Sequence, residues 1–288
     1  MRQLFYGFLL PFNSIFKYFT KGTIKVLAYH GVKDSQAFEL QLNYLSRAYN
    51  VISLKQLNHH IETKQKLPVN SLLITFDDGD ISIFKEGLPL LKKYNLPAIV
   101  FVITDLINSK KAFWCKQVVE TLQKSGKTYV EARKKVNHLK NIPESERKSE
   151  LQNIPQLEDE QFSTEMILKL KKNNIEIGNH THTHPMINNC SVAEIEQEMK
   201  ESRRVFENLG LKENFSNFAY PNGNWNLGSE KVLIGQGVKT AFLFDHKLNK
   251  KIINPMRISR IRVNTYTPLR EFKTKVSGLH PILMHLFK

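Results

Sequence analysis

Short apolar runs alternate along the chain with longer stretches in which apolar residues recur near helical spacing. The runs are rich in β-branched and aromatic residues, which is typical of strands buried on both faces of a sheet. This alternation favours an α/β fold, either a barrel or a wound sheet, in which helices connect parallel strands. The predicted strands are Ile24–His30, Ser71–Phe76, Ala98–Ile103, Ile175–Ile177, Phe215–Tyr220, Thr240–Phe244 and Ile258–Val263. The predicted helices are Phe38–Tyr49, Ile83–Tyr94, Thr164–Asn173 and Val192–Leu209.

The alternation is interrupted in residues 109–160, which are rich in Lys and Glu and contain no apolar run of strand type. We interpret these residues as a helical insertion near the mouth of the fold. The chain has 288 residues, of which 41% are hydrophobic, so it is long enough for one large domain with a full core. Residues 23–288 are assigned to this domain.

Residues 1–22 form a separate segment that is rich in Leu, Phe and Tyr. The apolar run Leu4–Phe19 is shorter than the about 20 residues that a membrane-spanning helix needs, and Pro11 and Lys17 interrupt it. No small-residue cleavage site of the signal-peptide type follows it. Two interpretations remain open: a helix that lies in the membrane interface, and a helix that is packed on the domain.

The composition is strongly basic, with 42 Lys and Arg against 27 Asp and Glu and a formal net charge of +15. Such an excess favours approach to nucleic acid, to an anionic membrane surface or to a phosphate-linked substrate, although a solvated Lys-rich surface gives the same composition. No nucleic-acid recognition motif accompanies the charge, so no specific nucleic-acid partner is expected. Cys115 and Cys190 form neither a disulfide framework nor a thiolate metal site, and they are compatible with a reducing compartment.

A pair of carboxylates, Asp77 and Asp78, follows the predicted strand Ser71–Phe76. In both candidate architectures ligands collect at the carboxyl ends of the strands. Burying two adjacent carboxylates is costly without a compensating cation, and a metal ion on one of them leaves the other free as a base. Asp-Asp-Gly is also ordinary turn chemistry, so the pair alone does not identify a site.

Three histidines lie within five residues at His180–His184, shortly after the predicted strand Ile175–Ile177. In a helical turn the two outer histidines share a face, as two ligands of one ion require, whereas in an extended segment all three face one side. The middle one, His182, is assigned a structural, hydrogen-bonded role. Two imidazoles and one carboxylate leave a metal position open for water, and a second carboxylate can take the water's proton. The two motifs together point to metal-assisted hydrolysis.

The same two motifs, TFDDG at Thr75–Gly79 and HTHTH at His180–His184, resemble those of the polysaccharide deacetylases, the carbohydrate esterase family 4 or NodB-like group. The resemblance extends from about Val26 to Gly278 and is nearest to the poly-N-acetylglucosamine deacetylase branch. It implies a distorted (β/α) barrel with fewer strands than a complete one, and removal of the N-acetyl group from an amino sugar. The supporting segments are VLAYHGV at Val26–Val32, LPAIVFVIT at Leu96–Thr104, FAYPNG at Phe218–Gly223 and RISRIRV at Arg257–Val263.

The resemblance also implies a role for each residue of the two motifs. Asp77 corresponds to the catalytic base, and Asp78, His180 and His184 correspond to the ligands of a divalent metal ion. Zinc suits two histidines and one carboxylate, and cobalt, nickel or manganese are alternatives.

The third family motif resembles R-x-P-Y-G, whereas here Ala219 stands in place of the Arg and Asn222 in place of the Tyr. A main-chain N–H at Asn222 can still stabilise an oxyanion, because it does not depend on side-chain identity. Tyr220, Pro221 and Asn222 are therefore predicted at the oxyanion or substrate site. Arg260 is predicted to replace the missing arginine and orient the base, with a surface ion pair as the alternative.

Most family members have a general-acid histidine near the C-terminus. His285 fits superficially, but it lies three residues from the chain end. We favour His30, because it ends a predicted strand and should reach the same mouth as Asp77 and His180. A structural histidine at a strand end is the alternative.

The substrate implied by the resemblance is an N-acetylated amino sugar in a cell-envelope polysaccharide or a lipid-linked glycan. The alternatives are an O-acetyl esterase, a deformylase acting on a related glycan, and a catalytically inactive glycan-binding protein. The basic composition and the N-terminal segment favour peripheral membrane contact. A cytoplasmic or inner-membrane location is favoured, and a secreted or periplasmic one is the alternative.

Overall fold

The structure, a computed structural model, describes residues 2–250, 252 and 254–286. The strands are β1 Lys25–Tyr29, β2 Asn50–Val51, β3 Ser71–Phe76, β4 Ala98–Val102, β5 Ile175–Asn179, β6 Asn217–Ala219, β7 Thr240–Phe242 and β8 Ile261–Arg262. The α-helices are α1 Arg2–Leu9, α2 Phe12–Phe19, α3 Ser35–Ala48, α4 Leu54–Thr63, α5 Leu88–Lys93, α6 Trp114–Lys124, α7 Tyr129–Leu139, α8 Glu144–Gln152, α9 Thr164–Lys172, α10 Val192–Asn208, α11 Leu227–Gly235, α12 Leu269–Val276 and α13 Leu279–Leu286. A π-helical stretch, Ile83–Gly87, leads directly into α5.

The strands are paired in parallel and seven of them form a continuous row in the order β7-β6-β5-β4-β3-β1-β8. β2 pairs with the start of β3. A parallel bridge between Phe242, at the end of β7, and Ile258, shortly before β8, joins the two ends of the row. The row therefore closes into a distorted barrel with fewer strands than a complete one, and the predicted fold class is confirmed.

Alternate residues of each strand face the helices and the barrel interior. Leu72, Ile74 and Phe76 of β3 belong to the large core between strands and helices, whereas Leu73 belongs to a separate inner cluster. The period of two places the side chain of Asp77 on the same inward side as Leu73. The inner cluster consists of Ile24, Val26, Ile52, Leu54, Leu57, Leu73, Ile99, Phe101, Ala219, Phe242 and Ile258.

The predicted strands are present, but several are shorter than the apolar runs that predicted them. β6 covers only the middle of the predicted strand Phe215–Tyr220, because the chain up to Ser216 forms a 3₁₀ turn. β2, α4, α11, α12 and α13 were not predicted. α4 buries only Leu54 and Leu57, so its apolar positions are too few to show helical periodicity.

Residues 109–160 contain the three helices α6, α7 and α8, which share a small core of their own. That core includes Val118, Val136 and Leu139, together with Met186 from outside the insertion. An antiparallel bridge between Lys111 and Glu158 ties the ends of the insertion together. The two ends of the insertion are therefore held together, and its core packs against the segment that follows the histidine motif.

Residues of the N-terminal segment form α1 and α2, which contact α12 and α13. Asn13 is buried and hydrogen-bonds with Thr274 and Ser277 of the C-terminal helices, at 3.2 and 3.1 Å. The structure thus supports the packed interpretation for one side of this segment. No helix in the described part of the chain combines the length and the apolar character needed to cross a membrane.

Candidate active site

The carboxyl ends of β1 and β3 bring the first predicted site residues together. The main-chain N–H of Asp77 donates to the carbonyl oxygen of Tyr29 at 2.9 Å, which keeps the two strand ends level. His30 and Asp78, the next residues on each side, line the same cleft. This cleft has a volume of about 480 Å³, within the range of pockets that enclose small-molecule ligands.

A group of three metal-ligand side chains lies in the cleft. Nε2 of His180 and Nε2 of His184 are each 3.4 Å from Oδ1 of Asp78. One ligand atom from each residue lies within 4.8 Å of the other two. Two imidazoles and one carboxylate form the donor set of a catalytic metal site that keeps one position open. The residues that the chain provides therefore fit a divalent metal ion.

The hydrogen bonds of the two histidines favour this interpretation. Nδ1 of His180 is 2.8 Å from the carbonyl oxygen of Ala219. Because a carbonyl only accepts, Nδ1 carries the proton and Nε2 is free to ligate an ion. Nδ1 of His184 is buried and has no hydrogen-bond partner among the described residues, while its Nε2 faces Asp78.

Burial and neighbouring charges act in opposite directions on the pKa values of the three ligand residues. Burial lowers the pKa of His180, but the adjacent carboxylates of Asp78 and Asp77 raise it above its ordinary value. Burial raises the pKa of Asp78, but its interactions with His180, His30 and His184 hold it well below its usual range. Burial, and then the charge of His180, lowers the pKa of His184 well below its ordinary value. Asp78 is therefore ionised and His184 is unprotonated, which are the forms that ligate a metal ion.

Neither conformation predicted for the histidine motif is correct, because the segment is a tight loop. Thr181 and His184 have φ angles of 70° and 60°, in the left-handed region that a β-branched residue rarely adopts. The side chain of Asn179 accepts from the N–H of Thr181 at 2.8 Å, and the Thr181 hydroxyl accepts from the N–H of His184 at 2.9 Å. These bonds fold the loop back so that the two outer histidines meet.

Glu198 of α10 anchors the same loop from outside the cleft. Its carboxylate accepts from the N–H groups of His182 and Thr183 at 2.9 and 2.8 Å, and from the Thr183 hydroxyl at 2.7 Å. Nδ1 of His182 lies 2.9 Å from the hydroxyl of Thr104, which agrees with a structural role. Sequence reasoning missed Glu198, because nothing in the sequence distinguishes it from the other acidic residues of α10.

Arg260 is fully buried beneath Asp77, and the surface ion pair considered from sequence is wrong. Its Nη1 and Nη2 donate to the two carboxylate oxygens of Asp77 at 2.6 and 2.7 Å. Its Nε donates to the carbonyl oxygen of Leu243 at 2.6 Å, and Nη1 also contacts the Thr75 hydroxyl at 3.1 Å. Burial raises the pKa of Asp77, but the charges of Arg260 and His180 outweigh burial and lower it. Asp77 is thus ionised and fixed in orientation.

The helical insertion also contacts the metal-ligand group. Nε1 of Trp114 donates to the carbonyl oxygen of His184 at 3.2 Å. The ring of Phe113 packs edge-on against the His184 ring, with 4.9 Å between centroids. Arg147 lies over the Trp114 ring at 5.0 Å. Sequence reasoning missed this contact, and its only signal was an aromatic pair in an otherwise charged insertion.

The third motif contributes less to the cleft than predicted. Tyr220 is fully buried in the core between strands and helices, where its ring packs on Phe218 at 5.3 Å, so its predicted place at the substrate site is wrong. Pro221 is buried and does not line the cleft either. Asn222 does line it, with a φ of 57°. The main-chain N–H of Asn222 has no acceptor among the groups that the structure describes.

His30 is exposed at the cleft, and its ring packs edge-on against Phe244 at 5.5 Å. It is close enough to Asp77 and Asp78 for its charge to help lower the pKa of both carboxyls. The side chain of the other candidate acid, His285, lies outside the described residues.

Two solved structures share the fold of the chain. The Streptococcus pyogenes deacetylase PplD, solved in complex with acetate, superimposes with a TM-score of 0.64 at 18% identity, and the match covers 88% of this chain and 98% of that one. IcaB from Ammonifex degensii superimposes with a TM-score of 0.63 at 21% identity, and the match covers 90% of this chain and 97% of that one.

Sequence comparison gives the family. A poly-beta-1,6-N-acetyl-D-glucosamine N-deacetylase of Staphylococcus aureus is 37% identical over 94 residues, which are 32% of this chain and 31% of the relative. The chain thus matches about a third of the length of this curated relative. Residues 64–241 match the profile of the family described as polysaccharide deacetylase. Since this region is more than half of the chain, the protein belongs to the polysaccharide deacetylase family.

Proposed function

We propose that the protein is a metal-dependent hydrolase that removes the N-acetyl group from an N-acetylated amino sugar in a glycan. Its family supports the reaction, and the name of the Staphylococcus aureus relative supports an amino-sugar polymer as substrate. The observation that carries the proposal is the geometry of the cleft. An Asp-His-His ligand set with two buried histidines stands beside a second carboxylate, Asp77, which Arg260 holds ionised.

The residues that would hold the ion are Asp78, His180 and His184. Zinc fits two imidazoles and one carboxylate best, and cobalt, nickel or manganese fit the same ligands. When bound, such an ion lowers the pKa of a coordinated water and polarises a carbonyl oxygen.

Asp77 is the general base in this proposal. Arg260 occupies one lone pair on each of its oxygens, and each oxygen keeps another for the proton of a water molecule. Its lowered pKa keeps the carboxylate ionised near neutral pH but also makes it a weak base. A weak base of this kind requires an acidified water, which explains why it stands next to the ligand set.

His30 and Asn222 complete the proposed reaction. His30 is exposed in the same cleft and is the candidate to donate a proton to the leaving amine. The main-chain N–H of Asn222 is the candidate to stabilise the oxyanion of the tetrahedral intermediate. Cleavage of the C–N bond then releases acetate and leaves a free amino group on the sugar.

The test is acetate release from oligomers of N-acetylglucosamine by protein that has been stripped with a chelator and reloaded with zinc. The proposal predicts release that depends on reloading and is lost in Asp77→Asn. Release of acetate only from O-acetylated glycans, or of formate from an N-formylated sugar, would instead support the esterase or deformylase alternative. A zinc-loaded protein that acts on none of these substrates would overturn the enzymatic assignment.

We also infer that α1 and α2 place the protein at the surface of an anionic membrane. Five large apolar residues of these helices are exposed, with exposed fractions between 41% and 76%. We call them the N-terminal face: Phe8, Phe12, Ile15, Tyr18 and Phe19. Phe12, Ile15 and Phe19 follow the 3-4 spacing of one face of α2, and aromatic residues of this kind favour the lipid interface.

The positive charge of the same segment favours an anionic membrane as the binding partner of this face. Residues 1–22 contain three basic residues and no acidic one. Nζ of Lys21 lies 4.2 Å from the centre of the Tyr18 ring, so a cation stands directly beside the apolar residues. An apolar face bordered by cations is complementary to an anionic bilayer, to which each cation near the surface adds about 1 kcal/mol.

Sedimentation with vesicles tests this inference. The full chain should bind vesicles that contain phosphatidylglycerol more strongly than vesicles of phosphatidylcholine alone. Phe12→Ser with Ile15→Ser and Phe19→Ser should reduce binding at least tenfold. The matched control is Leu40→Ser with Val69→Ser and Ile234→Ser, which removes three exposed apolar residues elsewhere. Equal binding by both triple variants, or loss of self-association instead of vesicle binding, would contradict a membrane role.

A further inference from the structure

Four basic side chains line the cleft above the metal-ligand group, and we call them the cationic rim: Lys33, Arg133, Lys140 and Arg262. They come from three separate parts of the fold. Lys33 follows β1, Arg133 and Lys140 belong to α7 and its C-terminal end, and Arg262 lies in β8. Because residues so distant in sequence converge on one cleft, the rim is a property of the fold and not of a local Lys-rich stretch.

The rim cations lack the carboxylate partners that some of the surface lysines have. Within the described part of the chain, none of the four has a carboxylate oxygen within 4.0 Å. Lys140 donates to the side-chain oxygen of Asn222 at 3.0 Å, and the guanidinium of Arg262 lies 5.7 Å from the Phe244 ring. In contrast, Lys111 of the insertion pairs with Asp105 at 2.9 Å.

The two carboxylates that line the cleft do not offset the rim. Asp77 is paired with Arg260, and Asp78 belongs to the metal-ligand set. The cleft is therefore net positive, and it becomes more so when a divalent ion is bound. Four like charges around one cleft raise the local concentration of anions there.

A net-positive cleft gives no electrostatic attraction to a neutral glycan, whereas it attracts an anionic one. Removing an acetyl group creates an amine that takes up a proton near neutral pH, so the product is a cation. The rim would repel that product, unless the glycan carries a negative charge of its own. Two exposed aromatic residues, Tyr129 and Tyr266, also line the cleft and offer apolar surfaces to sugar rings.

We propose that the cationic rim binds an anionic group of the substrate, so that the preferred substrate is an acetamido sugar joined to a phosphate or carboxylate group. This inference rests on the proposed deacetylase function and specifies its substrate class. The rim positions and selects the substrate, whereas the metal ligands and Asp77 below it carry out the hydrolysis. Arginine pairs with both phosphate and carboxylate in a bidentate manner, so the two anions share this chemistry.

The experiment compares three acetamido substrates of the zinc-loaded protein. A neutral N-acetylglucosamine tetramer has no anion, a heparosan tetrasaccharide carries a carboxylate on the neighbouring sugar, and UDP-N-acetylglucosamine carries a diphosphate on the same sugar. The proposal predicts at least tenfold higher kcat/KM for one anionic substrate than for the neutral one, and the preferred substrate identifies the source of the anion. Raising the salt concentration from 0.05 to about 0.5 M should reduce only the anionic preference.

Substitutions in the rim separate this proposal from a general effect of charge. Arg133→Gln with Arg262→Gln should lower the anionic-to-neutral ratio of kcat/KM at least tenfold, mainly through KM. The matched control, Lys92→Gln with Lys134→Gln, removes two exposed cations outside the cleft and should change that ratio by less than twofold. Equal changes in both double variants would overturn the proposal.

Direct binding distinguishes failure of this proposal from failure of the deacetylase function. Heparosan tetrasaccharide and UDP-N-acetylglucosamine should bind to zinc-loaded Asp77→Asn, and the Arg133→Gln and Arg262→Gln changes should weaken the binding at least tenfold. If binding behaves in this way but no substrate releases acetate, the deacetylase function is wrong and the anion site stands. If the neutral tetramer is hydrolysed as well as the anionic substrates and binds as tightly, the rim proposal is wrong.

Discussion

The floor and the rim of the cleft are built from charged residues in opposite ways. On the floor, Asp77 and Arg260 are buried, and their charges are matched by bidentate hydrogen bonds. On the rim, Lys33 and Arg262 are exposed and lack a carboxylate within 4.0 Å among the described residues. Buried charges that lose a partner are costly, whereas exposed charges are solvated and free to meet a ligand. We therefore expect changes on the floor to affect chemistry and stability, and changes on the rim to affect substrate choice.

The largest effect should come from removing the ion from the floor. Treatment with a chelator, or the change His184→Gln, should lower kcat/KM by about 10³-fold or more, equivalent to about 4 kcal/mol of transition-state stabilisation. Acetate release before and after chelation, and again after zinc is restored, measures this effect. The control is His182→Gln, which alters a neighbouring histidine outside the ligand set. Full activity in metal-free protein would contradict a catalytic role for a metal ion on the floor of the cleft.

Breaking the buried ion pair should have the next largest effect. Arg260→Met leaves the Asp77 carboxylate buried without a partner and should lower the free energy of unfolding by about 3–5 kcal/mol. Adding Asp77→Asn should recover part of that loss, because the unpaired charge is then removed. Urea unfolding of the two single variants and the double variant measures the coupling. Purely additive losses would show that the pair is not energetically linked.

The same pair predicts a pH dependence of stability. The pKa of Asp77 is lowered in the folded protein, so its contribution to stability is present above the ordinary carboxyl pKa of about 4 and is lost progressively as the pH falls below that value. In Arg260→Met this acid-side loss should shrink or reverse, because burial then raises the pKa of Asp77 and protonation removes an unpaired buried charge. Urea midpoints between pH 3 and 7 report the difference. Identical profiles would show that Arg260 does not control Asp77.

A smaller effect is expected where the insertion supports the floor. Trp114→Phe keeps the aromatic ring but removes the hydrogen bond to the carbonyl of His184, and it should weaken zinc binding by about tenfold. Competition with a zinc-sensitive dye measures the change. Trp225→Phe is the control, because Trp225 contacts Arg257 rather than the metal ligands. Equal zinc affinity in the wild type and Trp114→Phe would show that this hydrogen bond does not support the metal ligands.

The smallest effect should follow a change in the third motif. If the main-chain N–H of Asn222 stabilises the oxyanion, its side chain is dispensable, and Asn222→Gly should lower kcat by less than about threefold. Glycine is the suitable replacement because it readily adopts the φ of 57° at this position. A loss of a hundredfold would indicate that the side chain takes part directly.

The residues predictable from sequence are those whose neighbours in sequence reveal their position. Asp77 and Asp78 end an apolar strand, and the parallel alternation places that strand end at the mouth of a barrel. The same alternation predicted an α/β fold, and the resemblance to the family favoured a distorted barrel over a wound sheet. The unusual density of histidines predicted the roles of His180 and His184. It did not predict the conformation of their loop, which depends on Asn179 and on left-handed backbone angles.

Contacts between distant elements were the part that sequence did not reveal. Trp114 and Glu198 reach the histidine loop from the insertion and from α10, and neither has a motif around it. Tyr220 was assigned to the substrate site by resemblance. The two-residue period of β6 instead places its side chain beside Phe218, in the core between strands and helices. The side on which a residue lies at the end of a short strand depends on register, which one sequence does not define.

The central claim is that Asp78 holds the ion whereas Asp77 acts as the base. The most direct measurement is the zinc content and acetate release of Asp77→Asn and Asp78→Asn, prepared and assayed side by side. The account predicts that Asp77→Asn retains one zinc ion per chain but releases no acetate, and that Asp78→Asn loses both zinc and activity. An active Asp77→Asn, or an Asp78→Asn that binds zinc as tightly as the wild type, would contradict it.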